Sequence, residues 1–230
     1  MTWWFKTIVI LAIVSVVFLG FRFRIDQLLK IERIRYDIAS DLHDEIGSNL
    51  SSICVDGQLL MKSKSLTKEE QELSSDISKT ASQTLDAMRD IIWFINPKND
   101  EGEDVIFKMK ETAAKLLLGI EWTFKSSGGI RFDTFSLEQR RNIFLIYKEA
   151  LTNVVRHAFT KRCDISVYNH LNHLNISIED EGVGFDVNIV KKNTGMTSMA
   201  KRAEKINGHL LIESKPGKGT KVILNVINTN

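Results

Sequence analysis

Four short segments of this chain combine residue types and spacings that can do chemistry. DLHDEIGS (Asp41 to Ser48) sets His43 directly before Asp44 inside a stretch with helical period. A carboxylate so placed can hold one imidazole nitrogen and leave the other free as a nucleophile. Gly47 follows one turn later on the same face, where the missing side chain would let another domain approach the histidine. KEALTNVVRHA (Lys148 to Ala158) spaces Glu149, Asn153 and His157 at i, i+4 and i+8, along one side of a helix. Leu145, Ala150, Val154, Val155 and Ala158 supply its apolar face. An asparagine carbonyl and a carboxylate on one face can hold Mg²⁺ with its waters and the phosphates of a nucleotide. In IEDEGVGFD (Ile178 to Asp186) a strand ends at Asp180, and Gly182 and Gly184 follow in an Asp-x-Gly-x-Gly turn. Glycines permit close backbone approach to a ligand, and an Asp at a strand end can accept a hydrogen bond from an exocyclic amine such as that of adenine. In SKPGKGTKVIL, Gly217, Gly219 and Thr220 precede a further strand, a spacing that also suits a plain hairpin turn.

These segments need elements to carry them. Ile34, Ile38, Leu42, Ile46, Leu50, Ile53 and Leu60 recur at mostly three- and four-residue steps, which predicts a long helix through His43. Thr67 and Glu70 predict a capping box for a second helix. Its seam, Leu73, Ile77, Ala81, Thr84, Met88, Ile91 and Ile95, runs over more than three heptads before Asn96-Pro97 stops it. Two antiparallel helices cannot bury both stripes between themselves, so dimerisation into a four-helix bundle is expected. Lys98 to Asp104 (KNDEGED) reads as a linker. The texture then becomes α/β: a helix near Asp104 to Leu118, an alternating segment IEWTF, a long helix from Leu137 to about Phe159, paired strands DISVYN and LNISIED, and a closing strand KVILNVI. The resulting division is 1–24 anchor, 25–97 helical hairpin, 98–104 linker and 105–230 α/β domain.

Ahead of the helices, Trp3 to Phe21 is interrupted only by Lys6. As a helix it would be roughly 28 Å long, close to the ~30 Å hydrocarbon core of a bilayer. No small-x-small cleavage site follows, so residues 3–21 read as a single-pass membrane anchor and not a secretory signal. Arg22, Arg24, Lys30, Arg33 and Arg35 lie beyond it and only Lys6 before it. The positive-inside rule then places the C-terminal part in the cytoplasm, on the inner face of the cell membrane. Over 230 residues the net charge is +2 and 43% are hydrophobic, which excludes a disordered chain. Residues 1–24 carry +3 and the remainder −1, so the basic excess belongs to the membrane flank and argues against a nucleic-acid partner. Cys54 and Cys163 are too far apart in sequence to suggest a disulfide framework or a metal-ligand spacing.

In this order, the motifs resemble those of the sensor histidine kinases of two-component signalling. The resemblance is to the subfamily whose phosphoacceptor histidine is followed directly by Asp, as in nitrate sensors and the membrane-lipid thermosensor. It covers residues 25 to 230 and rests on DLHDEIGS, IIWFINPKND, the asparagine motif, Asp180-x-Gly-x-Gly and TGMTSMAKRAEKINGHLLIESKPGKGT. It implies that His43 is phosphorylated from Mg-ATP, with Asp44 as its activating base or orienter, and that the phosphoryl group passes to an aspartate of a separate response regulator. Glu149 would order water and metal near the triphosphate, and Asn153 would hold Mg²⁺. Asp180 would recognise adenine, Gly182 and Gly184 shaping the pocket. Gly195 would end a short lid from Asp186 to Thr194, and Gly217, Gly219 and Thr220 would complete the floor. The implied catalytic fold is the α/β sandwich shared with gyrase-like ATPases, the Bergerat type, in a homodimer. Two positions depart from the family: Ser48, where relatives that dephosphorylate their partner often carry Gln, and Asn193, where the lid-end motif has its first glycine. The competing reading is a non-catalytic, ATP-binding dimeric signalling adaptor, which the joint presence of His43, Asp44, Asn153 and Asp180 disfavours.

Overall fold

The structure, a computed structural model, describes residues 3–62, 66–96, 102–126, 130, 132–170, 173–187 and 194–227. The chain divides into two compact units, 1–97 and 98–230. Most of the expected linker and the lid residues 188–193, Asn193 included, lie outside the described residues.

In the first unit, α1 (Trp3–Asp41) passes into a π-helical turn (Leu42–Ile46) and on into α2 (Gly47–Met61). The Gly47 N–H bonds to the Leu42 carbonyl, five residues back. The apolar run Ile34, Ile38, Leu42, Ile46, Leu50 gives a reason for such a turn. A four-residue step overshoots an α-helical turn by about 40°, so four steps would carry the stripe far around the helix. A turn holding an extra residue takes up part of that drift. The N-terminal portion is long and apolar enough to cross a membrane by length and composition, and Trp3, Trp4, Ile8, Ile10, Leu11 and Ile13 are among its exposed residues.

α3 (Lys68–Ile95) starts at the expected capping box: the Glu70 N–H bonds to Thr67 Oγ1 at 3.3 Å, and the Thr67 N–H to Glu70 Oε2 at 2.8 Å. It packs back along α2 through small residues. Ala39, Gly47, Gly57, Ser74, Ser78 and Ala81 are buried, and the Ser74 and Ser78 hydroxyls donate to the Gly57 and Cys54 carbonyls at 2.8 and 2.9 Å. At Gly47 the two helices approach closely: a Cβ there would stand 3.3 Å from Met88 Cε. The heptad stripes lie mostly elsewhere. Ile34, Ile38, Ile46, Ile53, Leu60, Leu73 and Ile77 are all exposed, whereas Ala81 and Met88 turn into the hairpin.

In the second unit, α4 (Gly102–Leu116) leads to β1 (Glu121–Ser126), and α5 (Leu137–Asn153) begins at a Ser136–Gln139 capping box. β2 (Arg162–His170), β3 (His173–Asp180), α6 (Thr194–Lys205), β4 (Gly208–Ser214) and β5 (Thr220–Ile227) follow. Among the described residues the strands form one sheet in the order β1-β2-β3-β5-β4, with β1 parallel to β2 and every other pair antiparallel. Alternation along β3 and β5 buries Leu174, Ile176, Ile178, Val222, Leu224 and Val226. The opposite face of β3 is polar and that of β5 mixed, with Ile223 and Ile227 beside Lys221 and Asn225; across it Asn175 Nδ2 donates to Asn225 Oδ1 at 2.6 Å. Tyr147, fully buried on α5, donates its hydroxyl to the Met109 carbonyl at 2.9 Å and so ties α4 to α5.

Two outcomes test this packing. Gly57→Leu places atoms where even a Cβ would be 3.0 Å from Ser78 Cβ, so overpacking should cost the hairpin about 1–3 kcal/mol in a urea titration; parental stability would show that the helices do not touch there. Burial pushes the Cys163 thiol up to about 12. Iodoacetamide at pH 8 should therefore label half-buried Cys54 and spare Cys163 in the native chain. The same raised value means that stability is fully present below the ordinary thiol range and declines as pH rises above it; rapid native labelling of Cys163 contradicts the burial.

Candidate functional site

His43 stands in the π-helical turn with its ring exposed. Its Nδ1 lies 3.2 Å from Asp44 Oδ1, and Ser40 Oγ donates to Asp44 Oδ2 at 3.4 Å. The carboxylate therefore occupies the Nδ1 side and leaves Nε2 for chemistry. The ring borders a cleft between α2 and α3 that Ser48, Ser51 and Arg89 also line. Two hydroxyls and a guanidinium thus stand near the place where a group attached to His43 would lie. Sequence reasoning singled out neither Ser51 nor Arg89, since Arg89 comes from the partner helix of the hairpin and nothing local links it to His43.

The second unit holds a cavity of about 250 Å³. Asn153, Asp180, Gly184 and Thr220 all line it, four expected residues from three separate motifs. The antiparallel register of β3 and β5 sets Asp180 opposite Thr220. Asp180 is 6% exposed, and the Gly182 N–H bonds to its Oδ1 at 2.9 Å. Burial raises its carboxyl above the usual carboxylate range, and the backbone N–H groups of Gly182 and Thr220 oppose that shift. Held this way, the carboxylate is an oriented acceptor in a largely apolar chamber, whose walls include Ile178, Met196, Met199, Ile212 and Val222.

The glycines work mainly by letting backbones touch. A Cβ on Gly182 would overlap the Ala158 carbonyl oxygen, to which Val183 N–H bonds at 2.8 Å. A Cβ on Gly219, at φ +72°, would overlap the Asp180 carbonyl oxygen. Gly217 sits in the β4–β5 turn, its N–H 2.6 Å from the Val183 carbonyl. Glu149, half-buried on α5, and Gly195, in the first turn of α6, do not line this cavity.

The helix carrying the asparagine motif differs from the expectation of one α-helix to about Phe159. α5 ends at Asn153 and continues as a second π-helical turn, Val154–Ala158, closed by Phe159 in the left-handed region at φ 50°. The wider turn retards the later residues around the axis. His157 consequently lines the cavity, and Val155, expected on the apolar face, is exposed. Phe185 and the two α6 methionines also line it and were not foreseen, because hydrophobic lining looks like ordinary core in a sequence.

Comparison with known proteins finds matches over both units. Residues 34–100 match the family model described as histidine kinase, and residues 138–229 the model described as histidine kinase-, DNA gyrase B-, and HSP90-like ATPase. The chain is 30% identical over 198 residues to sensor histidine kinase YhcY of Bacillus subtilis (strain 168), covering 84% of this chain and 49% of that one. It is 29% identical over 213 residues to sensor histidine kinase DesK of the same organism, covering 90% and 54%. The chain thus spans about half the length of these curated relatives. The fold resembles the histidine kinase domain of the Erythrobacter litoralis EL346 blue-light activated histidine kinase (TM-score 0.50, 16% identity, 80% of this chain and 94% of that one). It also resembles Acinetobacter baumannii histidine kinase AdeS (TM-score 0.51, 12% identity, 83% and 98%). Both domain models are thus matched in order, a histidine kinase segment over the first unit and a histidine kinase-like ATPase segment over the second, and the chain is homologous to sensor histidine kinases.

Proposed function

We propose that this chain is a membrane-anchored, homodimeric protein-histidine kinase that phosphorylates His43 from ATP and passes the phosphoryl group to an aspartate of a separate response regulator. The observation that carries the reading is the exposed imidazole whose Nδ1 is taken up by Asp44 within the segment matched as histidine kinase. An ATPase segment follows it, in which a buried carboxylate faces an apolar cavity.

Phosphoryl transfer depends mostly on positioning and on neutralising charge. Asp180, already satisfied on one side by backbone N–H groups, has capacity to accept from an exocyclic amine. The aliphatic walls and the two methionines suit the faces of an aromatic base. Asn153 supplies the kind of oxygen that Mg²⁺ takes, and Glu149, one helical turn earlier, supports ordered water close by; the ion would neutralise charge on the phosphates. Gly195 and the segment 186–194 would form a lid over the phosphate side, and Gly217, Gly219 and Thr220 the floor, in a fold of the Bergerat type. At the acceptor, Nε2 of His43 attacks the terminal phosphorus, the bond from that phosphorus to the β–γ bridging oxygen breaks and ADP leaves, while Asp44 steadies the positive charge that develops on the ring.

Dimerisation is supported by the exposed stripes. Ile34, Ile38, Ile46, Ile53, Leu73 and Ile77 lie on faces that the hairpin does not cover, at the spacing of a bundle seam. A second copy would bury them in a four-helix bundle spanning residues 25–97, hinged to the catalytic domain, 105–230, through 98–104. Residues 3–21 would anchor the chain in the cytoplasmic membrane as a single pass, with the basic flank after them holding the rest inside.

Incubation with ATP labelled on the terminal phosphate should give acid-labile label on the chain, abolished by His43→Gln. No label despite nucleotide binding would favour the adaptor reading. Asp180→Asn keeps the shape but adds a donor where an acceptor is needed, and should weaken ATP binding at least tenfold in calorimetry; parental affinity would remove Asp180 from base recognition.

A further inference from the structure

Ser214 ends β4 and is not among the residues lining the cavity, yet its hydroxyl is the meeting point of three contacts. It accepts from the Phe185 N–H at 2.9 Å, donates to the Gly219 carbonyl at 2.9 Å, and lies 2.9 Å from the Thr220 hydroxyl. A serine hydroxyl has one proton. The Gly219 carbonyl can only accept, so the proton is committed there. The remaining contact must then run from the Thr220 O–H to Ser214 Oγ. Thr220 has thereby spent its hydroxyl proton away from any ligand, and its backbone N–H is directed at the Asp180 carboxylate.

Thr220 and Asp180 are register partners across β5 and β3, and both line the cavity. With its proton held by Ser214, Thr220 offers a bound molecule only lone pairs, and a carboxylate at Asp180, its Oδ1 already accepting from the Gly182 N–H, likewise only accepts. An amino substituent meets two acceptors in that corner. An oxo substituent brings a further acceptor to them and finds no donor.

We propose that Ser214 is a positioning residue for nucleotide selection: by holding the Thr220 hydroxyl proton it keeps the Asp180–Thr220 corner acceptor-only and so favours a 6-aminopurine over a 6-oxopurine. This rests on the nucleotide-binding reading of the cavity and deepens it. Ser214 also clamps Phe185 and Gly219, which are neighbours of the lid segment and of Thr220, so its loss would loosen the corner as well as free the Thr220 hydroxyl to donate.

The test is equilibrium binding of ATP and of ITP, which differ at the 6-position, to the full chain in detergent, with thermal melting run in parallel. The parent should prefer ATP. Ser214→Ala should weaken ATP by about tenfold and ITP by no more than about threefold, so that the ATP/ITP ratio shrinks. Ser214→Thr, which keeps the hydroxyl, should restore the ratio. A role confined to folding would lower the melting temperature and scale both nucleotides equally. An unchanged ratio in Ser214→Ala, whether both affinities hold or both fall together, overturns the proposal. Should Ser214→Ala fail to fold, Thr220→Val removes the same acceptor while leaving Ser214 to hold Phe185 and Gly219. It should compress the ratio too, and a parental ratio there overturns the proposal. A parent that binds ATP and ITP equally overturns the selectivity alone; a parent that binds neither overturns the nucleotide reading on which it rests.

Discussion

An imidazole is a nucleophile only through a nitrogen that is unprotonated and reachable. The contact between His43 Nδ1 and Asp44 Oδ1 bears on the first, since a proton shared with the carboxylate leaves the lone pair on Nε2, and the exposure of the ring meets the second. The rest of the first unit serves that pair. The π-helical turn carries it, the small-residue packing of α2 on α3 fixes the backbone beneath it, and Met88 fills the space over Gly47. π-turns are costly relative to α-helix and are found disproportionately at functional sites. Among the described residues there is one at His43, which borders the cleft, and a second where the cavity helix ends, from which His157 lines the cavity.

The second unit solves a different problem, which is to keep a carboxylate ready in an apolar chamber. Burying Asp180 would be unfavourable without partners, and the partners are backbone N–H groups, which cannot be titrated away or rotated out. They reach it because Gly182 and Gly219 lack side chains where the chain folds back on itself. Ser214 extends the same economy to the neighbouring hydroxyl. The site's polar groups are therefore set in advance of any ligand, which is the arrangement that favours discrimination over mere affinity.

Much of this was legible in the sequence where a local rule governs. The capping box at Thr67, the stop at Asn96, the strand pairing of DISVYN with LNISIED and the carboxylate at a strand end all follow from patterns a few residues long. The exposed stripes were legible too, since their surplus over what one hairpin can bury is a matter of counting apolar positions. What escaped depends on packing at a distance. The contact of Gly47 with Met88, 41 positions later in the chain, leaves no local trace. Val155 looked buried because the pattern assumes 3.6 residues per turn, and the π-turn at 154–158 breaks that period. The strand at Gly208–Ser214 was hidden inside a motif read for its glycines, and with it the serine that organises the turn.

An Asp44 carboxylate that takes up Nδ1 decides which nitrogen of His43 becomes phosphorylated. ³¹P and ¹H–¹⁵N NMR of the chain, ¹⁵N-labelled at histidine and incubated with Mg-ATP at neutral or alkaline pH, distinguishes the two phosphohistidine isomers directly. Phosphorus bonded to Nε2 of His43, with Nδ1 unsubstituted, is the predicted result. Phosphorus on Nδ1, or on any residue other than His43, would contradict it.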